Sequence, residues 1–156
     1  MAIEIAKVQK ALGTDFTLRE EIGRGGMAVV FMAEDHRHDR KVAVKVLKEE
    51  LLGSAHAERF LREIKLEGQL QHSHILPVFD SGATQDLLYF IMPYVGGGTL
   101  RDRLDREGML PLDEALRIGK EITEALDHAH SMDVIHRDIK PANILLRDGH
   151  ALVADF

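Results

Sequence analysis

The chain of 156 residues has no cysteine, no tryptophan, four prolines and only 5% aromatic residues. Without cysteine it can form neither a disulfide framework nor a thiolate metal site, which is compatible with a reducing environment. No apolar run approaches the ~20 residues of a membrane-spanning helix. The start, Met1–Ile5, also lacks the basic-then-apolar order of a signal peptide. We therefore expect a cytoplasmic location and no membrane segment in this chain, while an anchor elsewhere in a longer parent protein stays open.

Charge and composition also limit the function classes. The net charge is −6, and the acidic excess lies in the second half of the chain, which argues against a nucleic-acid surface. A hydrophobic content of 45% is enough to bury a core. The nine histidines include three pairs spaced two apart, His36/His38, His72/His74 and His128/His130. Because side chains two apart diverge on a helix, and because no pair fits a zinc pattern, we expect no structural metal there.

The segment 136–143, which reads His-Arg-Asp-Ile-Lys-Pro-Ala-Asn, is the most informative part of the chain. In it, Asp138 can accept a proton from an attacking hydroxyl, and Lys140 can neutralise charge on a transferred phosphoryl group. Asn143 offers a hard oxygen ligand for Mg²⁺. An apolar run at 144–146 would anchor such a loop as a strand. This spacing favours phosphoryl transfer over a merely solvated polar loop.

A glycine-rich segment lies well upstream of that loop. Residues 22–30 read Ile-Gly-Arg-Gly-Gly-Met-Ala-Val-Val, between two apolar stretches, so we predict a strand, a glycine turn and a strand. Glycines allow backbone amides to approach a triphosphate, because a Cβ would obstruct that approach. The third glycine of a G-x-G-x-x-G pattern is replaced by Ala28. Taken alone, the segment is as compatible with a plain hairpin turn.

The run Val42-Ala43-Val44-Lys45 follows the glycine segment, and a lysine ending a strand is by itself usually a surface residue. In this order, however, the motifs resemble those of the protein kinases. Lys140, two residues after Asp138, matches the Ser/Thr type, and the chain looks like an amino-terminal part of a bacterial, eukaryotic-like Ser/Thr kinase. The resemblance begins near Phe16 and ends at Asp155-Phe156, the first two residues of a D-F-G motif.

The resemblance implies an α+β, two-lobed, protein-kinase-like fold. It predicts a leader, possibly helical, at 1–15, in which Ile3, Ile5, Val8 and Leu12 are apolar. A complete N-lobe at 16–92 would hold an antiparallel sheet and helix C. A hinge at 93–98 and a partial C-lobe at 99–156 would follow.

The resemblance also assigns site residues. Lys45 would hold phosphates and pair with a glutamate on the next helix; Glu63 is preferred, and Glu67, four residues on, stays the alternative. Asp138 and Lys140 would complete the catalytic set, and Asn143 and Asp155 would be the metal ligands. His136 would pack under the site against Phe156 rather than act as a base. The remaining nucleotide-binding residues would be Ile22, Gly23, Arg24, Gly25, Gly26, Val30, Ala43, Met92, Pro93, Val95 and Leu145.

The implied activity is transfer of the γ-phosphoryl group of ATP, with Mg²⁺ or Mn²⁺, to a Ser or Thr hydroxyl of a protein substrate. Two alternatives remain at this level: a nucleotide-binding or regulatory module without turnover, and an inactive gene fragment. All the catalytic residue types are present, which opposes the first alternative. The absence of an activation segment from this sequence favours an inactive fragment.

Overall fold

The computed structural model describes residues 5–156, so the four residues before Ile5, including Ile3 of the predicted leader, lie outside it. The described chain divides into two compact units. The first comprises the residues up to 65 together with 78–94, and the second comprises 66–77 with 95–156.

The first unit is built on one antiparallel sheet. Its strands are β1 (Phe16–Arg24), β2 (Ala28–Asp35), β3 (Arg40–Leu47), β4 (Asp80–Thr84) and β5 (Leu87–Pro93), in the order β1-β2-β3-β5-β4. Helix α1 (Ile5–Leu12) precedes the sheet, and a short 3-10 helix (Glu49–Leu51) and helix α2 (Ala55–Gln69) follow β3. The Ser54 hydroxyl accepts a hydrogen bond from the His56 N–H at 3.1 Å, and thus caps the start of α2.

Apolar side chains lie on both faces of this sheet, because successive residues of a strand point to opposite faces. Val42, Val44 and Val46 of β3 belong to the core on one face, which α1 closes with Val8 and Leu12. The core on the other face contains Leu47 of β3 together with Phe60 of α2 and Phe90 of β5. The apolar residues at alternate and at neighbouring positions of β3 are explained by burial on both faces of the strand.

Helix α1 is attached to β1 by polar contacts as well as by packing. The Gln9 side-chain amide donates to the Phe16 carbonyl at 2.8 Å, and its Oε1 accepts the Leu18 N–H at 2.7 Å. Gln9 thus pairs with the edge strand in the way a neighbouring strand would, satisfying backbone groups that the sheet leaves unpaired.

The second unit combines helices with one hairpin. Its elements are α3 (Leu100–Glu107), α4 (Leu112–Ser131), a short 3-10 helix (Pro141–Asn143) and the antiparallel pair β6 (Ile144–Arg147) and β7 (His150–Val153). Its core joins Ile118, Ala125 and Ala129 of α4 to Ile144 and Val153 of the hairpin. The apolar residues of α4 are only partly buried, since Leu116 is 66% exposed.

Two local features of the second unit follow from single residues. Thr99 and Asp102 form a capping box at the start of α3, in which the Asp102 N–H donates to Thr99 Oγ1 at 3.1 Å and the Thr99 N–H donates to Asp102 Oδ2 at 2.9 Å. Gly97 passes close to β6, and a Cβ at this position would clash with the Leu146 carbonyl oxygen. Only glycine permits this approach.

Across residues 5–156, no helix combines the length and the apolar character needed to cross a membrane.

The packing of α1 predicts that Leu12→Ala lowers the free energy of unfolding by about 2–4 kcal/mol, because Leu12 is buried and its removal leaves a cavity. Urea denaturation measures this change, and Lys10→Ala on the exposed side of the same helix is the control. Equal stability of the two variants would mean that α1 does not contribute to the core.

Candidate active site

The glycine-rich segment forms the turn between β1 and β2. Gly23 pairs with Val30 in the sheet, and the Gly25 N–H donates to the Ala28 carbonyl at 2.8 Å. Gly25 and Gly26 are both exposed, so their backbone is accessible. This strand-turn-strand arrangement is the one that the sequence predicts. Arg24 in the same segment is paired with Glu21 by two hydrogen bonds of 2.8 and 2.6 Å.

Lys45 and Glu63 form a buried ion pair within the first unit. Lys45 on β3 is 8% exposed and Glu63 on α2 is 6% exposed, and Lys45 Nζ lies 2.6 Å from Glu63 Oε1. The lysine also lies over the Phe90 ring, 5.4 Å from its centroid. Burying two charges is costly unless they are paired, so this pair fixes the lysine head group rather than adding much stability. Lys45 is therefore not a snorkelling surface residue.

Several predicted nucleotide-binding residues share a sheet face with Lys45. Val30 on β2 is directly opposite Lys45 in the β2–β3 register, while Ala43, two residues before Lys45, is opposite Met92 on β5. Since residues i and i+2 of a strand point to the same face, Val30, Ala43 and Met92 flank the lysine. Ile22 is 42% exposed. Pro93 ends β5 in the first unit, and Val95 begins the last segment of the second unit.

The loop between α4 and β6 is held by His136, which is buried. Its Nε2 donates to the Ala154 carbonyl at 2.7 Å, while its Nδ1 accepts the Asp138 N–H at 3.2 Å. These two partners fix a neutral imidazole protonated on Nε2. The ring also packs edge-on against Phe156, with ring centroids 4.6 Å apart. His136 is therefore a scaffold residue, as the resemblance implies.

Asp138 is exposed and has two side-chain partners. Lys140 Nζ lies 2.9 Å from Asp138 Oδ2, and Asn143 Nδ2 donates to the same oxygen at 3.2 Å and to the Asp138 carbonyl at 2.9 Å. The hydrogen bond from Lys140 holds the pKa of Asp138 below its ordinary value against the opposing effect of burial, and the contact with Asn143 acts in the same direction as Lys140. Asp138 is therefore ionised at neutral pH and can accept a hydrogen bond from a hydroxyl.

Asn143 and Asp155 meet at the open end of the β6–β7 hairpin. Asn143 directly precedes β6, and its carbonyl accepts the Ala154 N–H at 2.9 Å. Asp155 is the next residue after Ala154, is exposed, and has a left-handed backbone with φ of 61°. Such a φ is uncommon outside glycine, although aspartate tolerates it better than most residues. The hairpin thus brings two residues twelve positions apart into neighbouring places.

Glu67 is buried rather than solvated. It is 3% exposed, and its Oε1 accepts the Phe156 N–H at 3.2 Å. A carboxylate oxygen of Glu67 also lies within 4.8 Å of one of Asp155. Glu63, the preferred partner of Lys45, contacts it directly at 2.6 Å.

The donor set of Asn143 and Asp155 fits a hard divalent cation. Because the Asn143 side-chain NH₂ is used by Asp138, its amide oxygen is the atom left to bind a metal. An amide oxygen together with carboxylate oxygen suits Mg²⁺ or Mn²⁺ and not a soft metal. The residues present therefore fit the ion that the sequence implies.

Sequence reasoning missed one buried acidic residue of the second unit. Glu121 on α4 is 6% exposed and accepts the Ala151 N–H of β7 at 2.7 Å. The available signal was its position: it falls between Ile118 and Ala125 in the apolar stripe of the helix, where a solvated glutamate is not expected.

Comparison with known proteins agrees with this geometry. Residues 16–156 match the family described as Protein kinase domain, which covers most of the chain, so this chain belongs to the protein kinase family. It is 38% identical over 151 residues to the serine/threonine-protein kinase PrkC of Bacillus subtilis, covering 96% of this chain. It is 40% identical over 156 residues to the serine/threonine-protein kinase PksC of Streptomyces coelicolor, covering 92% of this chain.

These relatives are much longer. The matched region is 23% of PrkC and 28% of PksC. A probable serine/threonine-protein kinase of Bifidobacterium longum, pknA2, is 38% identical over 146 residues, which span 90% of this chain and 19% of that protein. The chain thus spans about a fifth to a quarter of the length of these relatives.

The contact between Lys140 and Asp138 predicts that Lys140→Ala raises the pKa of Asp138 towards its ordinary value, because the hydrogen bond that stabilises the carboxylate is lost. An NMR titration of the Asp138 side-chain carbonyl carbon measures this pKa. Lys120→Ala, an exposed lysine of α4 that pairs with Glu124, is the control. An unchanged Asp138 pKa in Lys140→Ala would show that the two side chains do not pair in solution.

Proposed function

We propose that this chain binds ATP together with Mg²⁺ or Mn²⁺ and contains the nucleotide-binding and catalytic-loop residues of a serine/threonine protein kinase. The single observation that carries the proposal is the arrangement of one loop in which the Asp138 carboxylate contacts the side chains of both Lys140 and Asn143. The family membership of the chain supports the same conclusion. The chain matches only 23% of PrkC and 28% of PksC, which supports the further proposal that a longer protein carries out the complete reaction.

In the proposed reaction, Asp138 orients the attacking Ser or Thr hydroxyl. Its low pKa keeps it ionised, so it accepts the hydrogen bond of the hydroxyl and aligns the oxygen with the phosphorus before the proton is lost. Lys140 neutralises charge on the transferred phosphoryl group, and it is already close to Asp138. The proposed substrate is a protein with a Ser or Thr hydroxyl, which the names of the relatives support.

The remaining site residues hold the nucleotide. Lys45, oriented by Glu63, binds phosphate oxygens as a fixed positive charge. Val30, Ala43 and Met92 provide apolar surface near that lysine for the adenine. Asn143 and Asp155 hold the metal ion, which when bound neutralises the phosphates and fixes their orientation. A cytoplasmic location, where ATP and Mg²⁺ are abundant, is part of the same proposal.

The nucleotide half of the proposal predicts metal-dependent ATP binding that Lys45→Ala weakens about 10- to 100-fold, as expected for losing a hydrogen-bonded charge pair to phosphate. Calorimetry with ATP in the presence of Mg²⁺, and again with a chelator, measures the affinities. Lys41→Ala, an exposed lysine on the same strand, is the matched control. Equal, metal-independent ATP affinity of Lys45→Ala and the unmodified chain would reject the assignment.

The catalytic half predicts that Asp138→Asn lowers phosphotransfer about 10²- to 10⁴-fold while ATP affinity stays nearly unchanged, because Asp138 serves the hydroxyl and not the nucleotide. The measurement is transfer of labelled phosphate to a generic basic protein by a chain extended through a complete kinase domain. Asp133→Asn is the control, since Asp133 is an exposed aspartate of the same loop region. A loss of ATP affinity as large as the loss of rate would count against this role.

A further inference from the structure

The residue Ala151, in the middle of β7, is held at both of its backbone polar groups by side chains. On one edge, β7 pairs with β6 in regular register, with Leu146 opposite Ala151. On the other edge, the Ala151 N–H donates to Glu121 Oε2 at 2.7 Å and the Ala151 carbonyl accepts from His74 Nδ1 at 2.8 Å. Two side chains from different parts of the second unit thus occupy the positions that a neighbouring strand would otherwise fill.

Glu121 has three donors and is well placed to hold the strand. Besides the Ala151 N–H, His150 Nδ1 lies 2.7 Å and Arg117 Nη1 lies 3.1 Å from its other oxygen. Burial by itself disfavours the carboxylate, but the hydrogen bonds from Ala151, His150 and Arg117 outweigh it and leave the pKa of Glu121 below its ordinary value. Arg117 also donates to the Gly149 carbonyl at 3.0 Å, so the hairpin turn is attached to α4 as well.

His74 holds the strand from the segment between α2 and β4. Because a carbonyl oxygen only accepts, His74 Nδ1 carries the proton that is shared with Ala151. The His74 carbonyl accepts the Val153 N–H at 2.8 Å, and the Leu76 N–H donates to the Val153 carbonyl at 2.9 Å. His74 Nδ1 lies 4.0 Å from Glu121 Oε2, so the two side chains contact Ala151 next to each other.

The position of β7 decides the position of the metal ligands. Ala154 follows β7 directly and donates to the Asn143 carbonyl at 2.9 Å, and Asp155 is the next residue. A displacement of Ala151 along or away from β6 would therefore move both ends of the hairpin. Burying a glutamate among the apolar residues of α4 costs more free energy than burying a leucine there. The hydrogen bonds that Glu121 makes, which leucine cannot make, are therefore the reason to look for a role of this residue.

We propose that Glu121 and His74 are positioning residues for the metal ligands Asn143 and Asp155, acting through Ala151 and β7. The assignment of a function to this positioning rests on the proposed ATP and metal binding. The clamp itself, defined as the contacts of Glu121 and His74 with Ala151, can be tested without any nucleotide.

The direct test is amide hydrogen exchange, followed by NMR, in Glu121→Leu and Glu121→Gln. Glu121→Leu removes the acceptor at similar volume, so the Ala151 amide should exchange about 10- to 100-fold faster, the range for losing a buried hydrogen bond to a charged group. The Ala154 amide, whose partner is the Asn143 carbonyl, should also exchange faster. Glu121→Gln keeps an acceptor oxygen, and its rates should return to near those of the unmodified chain.

Glu124→Leu is the matched control, because Glu124 lies on the same helix, is exposed and pairs with Lys120. Its Ala151 and Ala154 rates should equal those of the unmodified chain. If Glu121→Leu does not fold, His74→Phe, which keeps a ring and removes the donor to the Ala151 carbonyl, replaces it, and faster exchange of the Ala154 amide is then the expected result. Faster exchange at Ala151 with no change at Ala154 would overturn the proposal, since the bond would then be local and would not position Asn143. Unchanged exchange at both residues would overturn it as well.

A second readout is the affinity for ATP with Mg²⁺, compared with the affinity for ATP in the presence of a chelator. Glu121→Leu should weaken the first about 10-fold, as removal of a residue that orients metal ligands typically does, and leave the second unchanged. Equal weakening of both would indicate a general structural effect and contradict a positioning role. If the unmodified chain shows no metal-dependent ATP binding, the proposed function fails, whereas the exchange rates of Ala151 and Ala154 still decide whether the clamp exists.

Discussion

The second unit depends on one constraint: the backbone groups of the four-residue strand β7 must be satisfied on both edges, although the sheet it belongs to has only two strands. β6 satisfies one edge. The other edge is completed by residues 74–76 at Val153 and by the side chains of Glu121 and His74 at Ala151. His136 donates a hydrogen bond to the carbonyl of Ala154, the residue immediately after the strand. Each of these partners comes from a different segment, so pairing with β7 brings the segments together.

The polar residues of the loop before β6 also have fixed chemical states, one through its contact beyond β7 and one through its neighbour in the loop. His136 is held between a carbonyl that accepts and an N–H that donates, which leaves it a neutral ring protonated on Nε2. Asp138 is held ionised by Lys140. The loop therefore presents an acceptor, a cation and an amide oxygen whose orientations are set before any ligand arrives, and preorganised groups of this kind are effective in catalysis because little reorganisation is needed.

The first unit solves a different problem with its sheet. Its central strands carry apolar side chains on both faces of the sheet. Helix α1 covers one face, and helix α2 covers the other. Lys45 is the exception on β3, and it is tolerated in this interior because Glu63 reaches it from α2. A charged residue in a buried strand is costly without such a partner, so the helix that completes the core also fixes the orientation of the lysine.

The sequence by itself determined the elements and the class of chemistry, because these follow from short-range patterns: the glycine turn, the apolar runs, the capping box at Thr99 and the spacing within 136–143. It also indicated the family, which the comparisons confirm. Only the tertiary structure decided that Glu63 contacts Lys45 and that the buried Glu67 accepts a hydrogen bond from the Phe156 N–H. The same holds for the hydrogen bonds of Glu121 and His74 to Ala151. The partners in these contacts are 18, 89, 30 and 77 residues apart. No local periodicity encodes such separations, since they arise only when packed elements bring a buried polar group to the one partner that can satisfy it.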